Sequence, residues 1–156
     1  MNTFDDLNPL LQDFQTVAKL AGINLLPDML ILEKLPAPHK PPSRLPERKM
    51  AVYVFFWNHT CLKVGKVGPK SQARYTSQHY NPSSSMSYLA KSLVLRHKEI
   101  GLSDITETNV GDWMKTNTNR INFLLDVNCG IALLSLLEAF LHCRLQPKFE
   151  GFKSQQ

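Results

Sequence analysis

A chain of 156 residues, 43% of them hydrophobic, is long enough to bury one real core and too short for two full domains. Its 18 lysines and arginines against 13 acidic residues leave a formal charge of +5, which favours polyanionic partners without selecting one. Three cysteines, Cys61, Cys129 and Cys143, are odd in number and lack paired spacing, which excludes a disulfide framework or a zinc ribbon and leaves them as reduced core thiols. The opening MNTFDDLNPL has neither the basic start nor the apolar run of a signal peptide, and no uninterrupted apolar stretch approaches membrane length. The expectation is a soluble, cytoplasmic protein without a membrane partner.

The first element reads as a helix. Asn8 can cap it, Pro9 fits its first position, and Leu10, Leu11, Phe14, Val17, Ala18 and Ala21 recur at helical spacing before Gly22. A second short helix is expected after Pro27 and Asp28, so residues 1–35 form a helical N-terminal extension. Five prolines within 36–46 and several cations then rule out regular structure, giving a stiff basic linker over 36–49. Its simplest role is a spacer that packs the N-terminal helix on the core, and the alternative is a DNA-contacting arm.

Residues 50–68, MAVYVFFWNHTCLKVGKVG, read as a β-hairpin: two runs rich in Val, Phe, Trp and Tyr, broken at Asn58-His59-Thr60. It carries Tyr53 and Lys63 on facing strands and leads into a basic helical segment, 69–80, with Arg74 near its middle. A loop at 81–87 precedes the helical run MSYLAKSLVLRHKEI, which Gly101 can end. Residues 120–127 look like a third strand, and 131–145 form one strongly apolar helix before Pro147. Within that helix Glu138 is isolated, and a carboxylate there needs a partner or solvent. At helical spacing it shares a thin polar stripe with Ser135 and His142.

Taken singly, Tyr53 is an ordinary sheet residue, Lys63 a solvated strand cation and Glu138 a surface acid. Together, a phenol, an amine and a guanidinium near one hairpin could grip and attack a phosphodiester. Their order and spacing resemble the GIY-YIG nuclease superfamily over residues 50–151. Ala51-Val52-Tyr53 stands at the first tripeptide and Lys63-Val64-Gly65 at the second. Arg74 falls nine residues after Gly65, inside the first helix, and Glu138 lies on an apolar helix after the third strand. The ending EAFLHCRLQPKFEG is similar to the family's, in which a proline precedes an asparagine twelve positions after the glutamate.

There are departures. Ala51 replaces a glycine. Lys63 replaces the second tyrosine, as in some restriction enzymes of the superfamily. Gln78 stands where a histidine or tyrosine is frequent one turn after the arginine, with Tyr75 and His79 as substitutes, and Glu150 replaces the terminal asparagine. The triplet repeats at Lys66-Val67-Gly68, so the register could shift by three. The first copy gives the usual distances to Tyr53 and Arg74.

The resemblance implies an α/β (α+β) fold: a small three-stranded antiparallel sheet flanked by helices, with the nuclease-like domain over 50–156. It also implies a metal-dependent DNA endonuclease using one divalent cation, Mg²⁺ or Mn²⁺, held by Glu138. Tyr53 would be general base or orient the attacking water. A phenol with a pKa near ~10 needs cationic neighbours for the first role, and Lys63 and Arg74 are placed to supply them. Arg74 would stabilise charge on the phosphate, and His79 is a further base or phosphate contact. Lys66, Lys70, Arg96, His97, Lys98, Lys115 and Arg120 are candidate DNA-phosphate contacts. The loop 81–87 and the span 102–119 are places for substrate-specific insertions, with 116–120 read as a turn. Restriction is the attractive role, and a homodimer would suit cleavage of both strands. The alternative is a catalytically inactive nuclease fold that binds DNA or a protein.

Overall fold

Helix α1, Asn8–Leu20, has proline in its first turn and ends in a Schellman motif: Gly22 N–H donates to Lys19 O (3.0 Å) and Ile23 N–H to Ala18 O (2.9 Å). Gly22 takes φ +83°, a conformation glycine adopts without cost. Asn8 is the first helical residue; Leu7 occupies the cap position and makes no side-chain cap bond, contrary to the expected Asn8 cap. Leu10, Phe14 and Ala18 face inward. The structure is a computed structural model that describes residues 4, 7–84 and 88–149.

After the turn at 27–29 the chain forms a strand, β1 (Leu30–Leu35), where a second helix was expected. All six residues pair with β4 (Asn119–Asp126), from Leu30 opposite Leu125 to Leu35 opposite Arg120. A six-residue helix would be marginal by itself, whereas pairing on β4 satisfies the inward-pointing backbone groups of the whole strand at once. The remaining strands are β2 (Lys49–Trp57) and β3 (Thr60–Val67). The sheet therefore has four strands, not three, in the order β1-β4-β2-β3, with every pair antiparallel. The β2–β3 hairpin turns at Asn58, φ 51°, and carries an irregularity between Phe55 and Phe56.

Period two divides β2 between two cores. Met50, Val52, Val54 and Phe56 pack with α1 and with Leu133, Leu134, Leu137 and Leu141 of α5 (Gly130–Leu145). Each fully buried leucine contributes about 1.5–3 kcal/mol there. Ala51, Tyr53 and Phe55 face the opposite way, under α2 (Gln72–Thr76), α3 (Leu89–Arg96) and α4 (Val110–Asn117). Helix α4 lies in the span 102–119 that was expected to be irregular. The stretch Val127–Leu145 is long and apolar enough to cross a membrane by length and composition, which the sequence reading did not anticipate; in this fold its leucines line the sheet.

The proline-rich segment is fixed to the second face. His39 N–H donates to Lys115 O (2.8 Å) and Ala37 N–H to Asn119 Oδ1 (2.8 Å). Leu45 is buried, and its backbone is gripped by one side chain: Leu45 N–H donates to Gln72 Oε1 (2.8 Å) while Gln72 Nε2 donates to Leu45 O (3.4 Å). The segment thus braces α2 and α4 instead of serving as a spacer for α1. Of the three free thiols only Cys61 is buried; Cys143 is exposed.

Candidate active site

Tyr53 sits mid-strand in β2, opposite Gly65 of β3 and Asn122 of β4. A Cβ at Gly65 would come within 2.2 Å of the Tyr53 hydroxyl, so the phenol lies directly over this glycine and points across the outer strand β3. A Cβ at Gly68 would meet nothing within 4 Å. Close approach thus singles out the glycine of the first KVG triplet.

Three elements converge on that hydroxyl. Arg74 of α2 and Glu138 of α5 both act on it electrostatically, in opposite directions. The His79 ring packs on the Tyr53 ring with centroids 4.0 Å apart. Lys63, opposite Phe55 and only 7% exposed, lies on the same face and adds its charge beside His79. It is not the solvated strand cation that the sequence alone favours. The structure therefore groups Tyr53, Lys63, Arg74 and His79 on one face of the sheet, while Glu138, on the α5 side, acts on the phenol only electrostatically and least of the charges that do. On the α5 side Lys66 Nζ stands 3.0 Å from Glu138 Oε2 and 3.0 Å from Ser135 Oγ, so the polar stripe of that helix meets a lysine.

Burial sets the proton states. It raises the Tyr53 pKa, and the opposing pull of Arg74 and Arg120 does not overcome it, so the phenol is protonated at neutral pH. Of the two expected roles, general base or orienter of the attacking water, a raised pKa favours the second. Burial, then Arg120, Arg74 and Lys63, drive the His79 pKa well below 6.5, and its imidazole is neutral. Arg74 Nε and Gln78 Oε1 are among the buried polar atoms that have no hydrogen-bond partner among the described residues. They offer a donor and an acceptor next to the Tyr53–His79 pair.

His79 reaches the site because the helix breaks. The segment expected to be one helix is α2 followed by a 3₁₀ turn, Gln78–Tyr80. In an unbroken helix Gln78 would share Arg74's face and His79 would point elsewhere.

Arg120 is not a DNA contact. It is fully buried and donates to Asn122 Oδ1 (Nε, 2.9 Å), Tyr80 OH (Nη1, 3.3 Å) and Tyr75 O (Nη2, 2.6 Å). Asn122 donates onward to Glu33 Oε2 (2.7 Å), which also accepts from the Tyr75 hydroxyl. The Tyr75 pKa is raised by burial and by that carboxylate. Beyond Tyr80, His39 must donate from Nδ1 to Thr118 O (2.8 Å), so Nε2 accepts from Tyr80 OH (2.7 Å). This chain of bonds ties β1, β4 and the proline-rich segment to the backbone of α2, one residue beyond Arg74. The sequence reading missed Glu33, Asn122 and His39. The usable signal was the alternation Arg120, Asn122, Leu124, which puts two polar groups on an inward face.

The other proposed phosphate contacts are dispersed. Lys70 and Lys98 are exposed, Arg96 is bound to Glu99 (Nη2, 2.8 Å) and Lys115 lies 3.4 Å from Asp112. A cleft of about 420 Å³ is lined instead by Arg44, Arg48, Pro69 and Gln72. Glu150 lies outside the described residues, as does part of the 81–87 loop. No family model matches this sequence, and neither does any curated protein or solved structure.

Proposed function

We propose that this chain is a metal-dependent DNA endonuclease with a GIY-YIG-like domain. The observation that carries the reading is the Tyr53 hydroxyl laid over Gly65 with Arg74 bonded to it, while the Glu138 carboxylate acts on it from α5 through its charge. A donor-rich patch beside one carboxylate suits a phosphodiester, whose oxygens are all acceptors.

Among the described residues no three histidines, cysteines or acids cluster to hold a metal. A lone half-buried Glu138 therefore does not fit zinc, but it does fit Mg²⁺ or Mn²⁺, which keep several waters and take one or two carboxylates together with substrate oxygens. When bound, such an ion would supply charge neutralisation at the phosphate and an activated water. The chain's own groups do the rest. Arg74 stabilises charge developing on the phosphate, with Nε already free to donate. Protonated Tyr53 orients the attacking water through its hydroxyl instead of abstracting its proton. Gln78 Oε1 accepts a hydrogen bond from a water, which a phosphate could not provide. Burial, with Arg120, Arg74 and then Lys63 adding to it, keeps His79 neutral. Arg44 and Arg48, in a cleft that also holds Glu47, are candidate phosphate contacts, and restriction is the role proposed for the activity.

A second reading, a binding module without catalysis, draws on one observation: Lys66 already occupies the Glu138 carboxylate. Incubating wild type and Glu138→Ala with plasmid and with RNA, in Mg²⁺ and in chelator, separates the two. The enzyme reading expects Mg²⁺-dependent plasmid cleavage that falls by about 10³-fold or more in the variant. Discrete fragments would support restriction, and smearing a non-specific nuclease. A folded wild type that cuts neither substrate in any metal would leave the binding module.

A further inference from the structure

The duplicated triplet, Lys63-Val64-Gly65-Lys66-Val67-Gly68, spaces two lysines three apart on one strand, and period two sends them to opposite faces. Lys63 lies opposite Phe55, on the Tyr53 face. Lys66 lies opposite Val52, on the α5 face, where its ammonium bridges Glu138 and Ser135 at 3.0 Å each. The single acid of α5 is thus neutralised by a cation of the chain itself.

A divalent ion on Glu138 and an ammonium on the same carboxylate repel each other, so binding of one weakens the hold of the other. Lys66 can leave: its side chain is 39% exposed, grows from an outer strand and rotates about four bonds. Its other partner, a neutral serine, does not balance its charge. A substrate phosphate arriving beside the metal does.

We propose that Lys66 is the exchangeable occupant of the metal position. It holds Glu138 in the metal-free protein and moves to a DNA phosphate when the metal binds, so that metal and DNA each strengthen the other's binding through this one lysine. The proposal rests on reading Glu138 as the metal ligand. Coupling of this kind is reciprocal, so it is measurable from the metal side without any turnover.

The test is Mn²⁺ binding, followed by electron paramagnetic resonance, to wild type, Lys66→Met and Glu138→Gln, with and without a nuclease-resistant phosphorothioate duplex. Lys66→Met should bind Mn²⁺ about fivefold more tightly than wild type in the absence of DNA, the size expected for releasing a partly exposed ion pair. It should also lose the gain in Mn²⁺ affinity that DNA gives wild type. Binding that requires Glu138 but is the same in Lys66→Met and wild type overturns the exchange and leaves the metal ligand in place. Absence of Glu138-dependent binding in every protein overturns both. Thermal melts establish folding, and Lys66→Gln repeats the measurement should the methionine variant not fold.

Discussion

Under α1 and α5 the sheet presents Met50, Val52, Val54 and Phe56 to a layer of leucines, whereas under α2, α3 and α4 it presents Tyr53, Lys63, Arg120 and Asn122 among aromatic rings. Apart from the bonds of Lys66 to Glu138 and Ser135, the first face is held by contacts without direction, which tolerate side chains of similar volume. The second is held by bonds that fix angle as well as distance. That difference has a reason in the site: α2 has five residues, far too few to hold Arg74 in place by themselves. The directional bonds from Arg120 to the Tyr75 carbonyl, and from Gln72 to Leu45, substitute for length.

The sharpest way to break this comparison is Arg120→Met. It strands three internal acceptors and should lower the unfolding free energy by about 3 kcal/mol or more in urea titrations. Leu137→Met on the apolar face should cost under about 1.5 kcal/mol. Equal costs would show that the polar bonds add nothing beyond packing. A smaller contrast lies along β3. Gly65→Ala must displace the Tyr53 phenol and should cost about 1–3 kcal/mol and much of any cleavage, while Gly68→Ala should stay within about 0.5 kcal/mol.

The smallest effect is on pH. His79 and His39 are both held below 6.5, His79 by a wide margin, so the unfolded chain takes up protons near pH 6.5 that the folded chain refuses. Their contribution to stability is complete above about pH 6.5 and is lost progressively as pH falls toward the folded values. His79→Asn should flatten the decline seen in urea melts between about pH 7.5 and 5.5. An unchanged slope would mean that His79 titrates alike in the folded and unfolded chain.

What could be read from the chain tracks how local the cause is. The hairpin was legible because alternation and turn residues sit within twenty positions, and α5 because its leucines recur within one helix. Strand β1 was not, since its partners lie about ninety residues away and Pro27-Asp28 mimics a helix start. For the candidate site, Tyr53, Lys63, Arg74 and Glu138 could be singled out by order and spacing. The position of His79 depends on a helix break, and Arg120 looked like a surface cation until β1 and the proline-rich segment enclosed it. The neutral state of His79 and the protonated state of Tyr53 follow from burial, which spacing does not encode.

The chain leaving α5 has one more consequence. Lys148 and Phe149 donate their backbone N–H groups to the carbonyls of Cys61 and Leu62, both at 2.9 Å, and Phe149 is fully buried. Strand β3 is one border of the sheet, and two of its acceptors are thereby occupied from within the same molecule. At the other border, β1 runs directly into Pro36 and Pro38, which have no N–H to offer a neighbouring strand. One border strand thus has two of its acceptors taken from within the molecule, and the other is followed at once by residues that cannot extend it as a hydrogen-bonding edge.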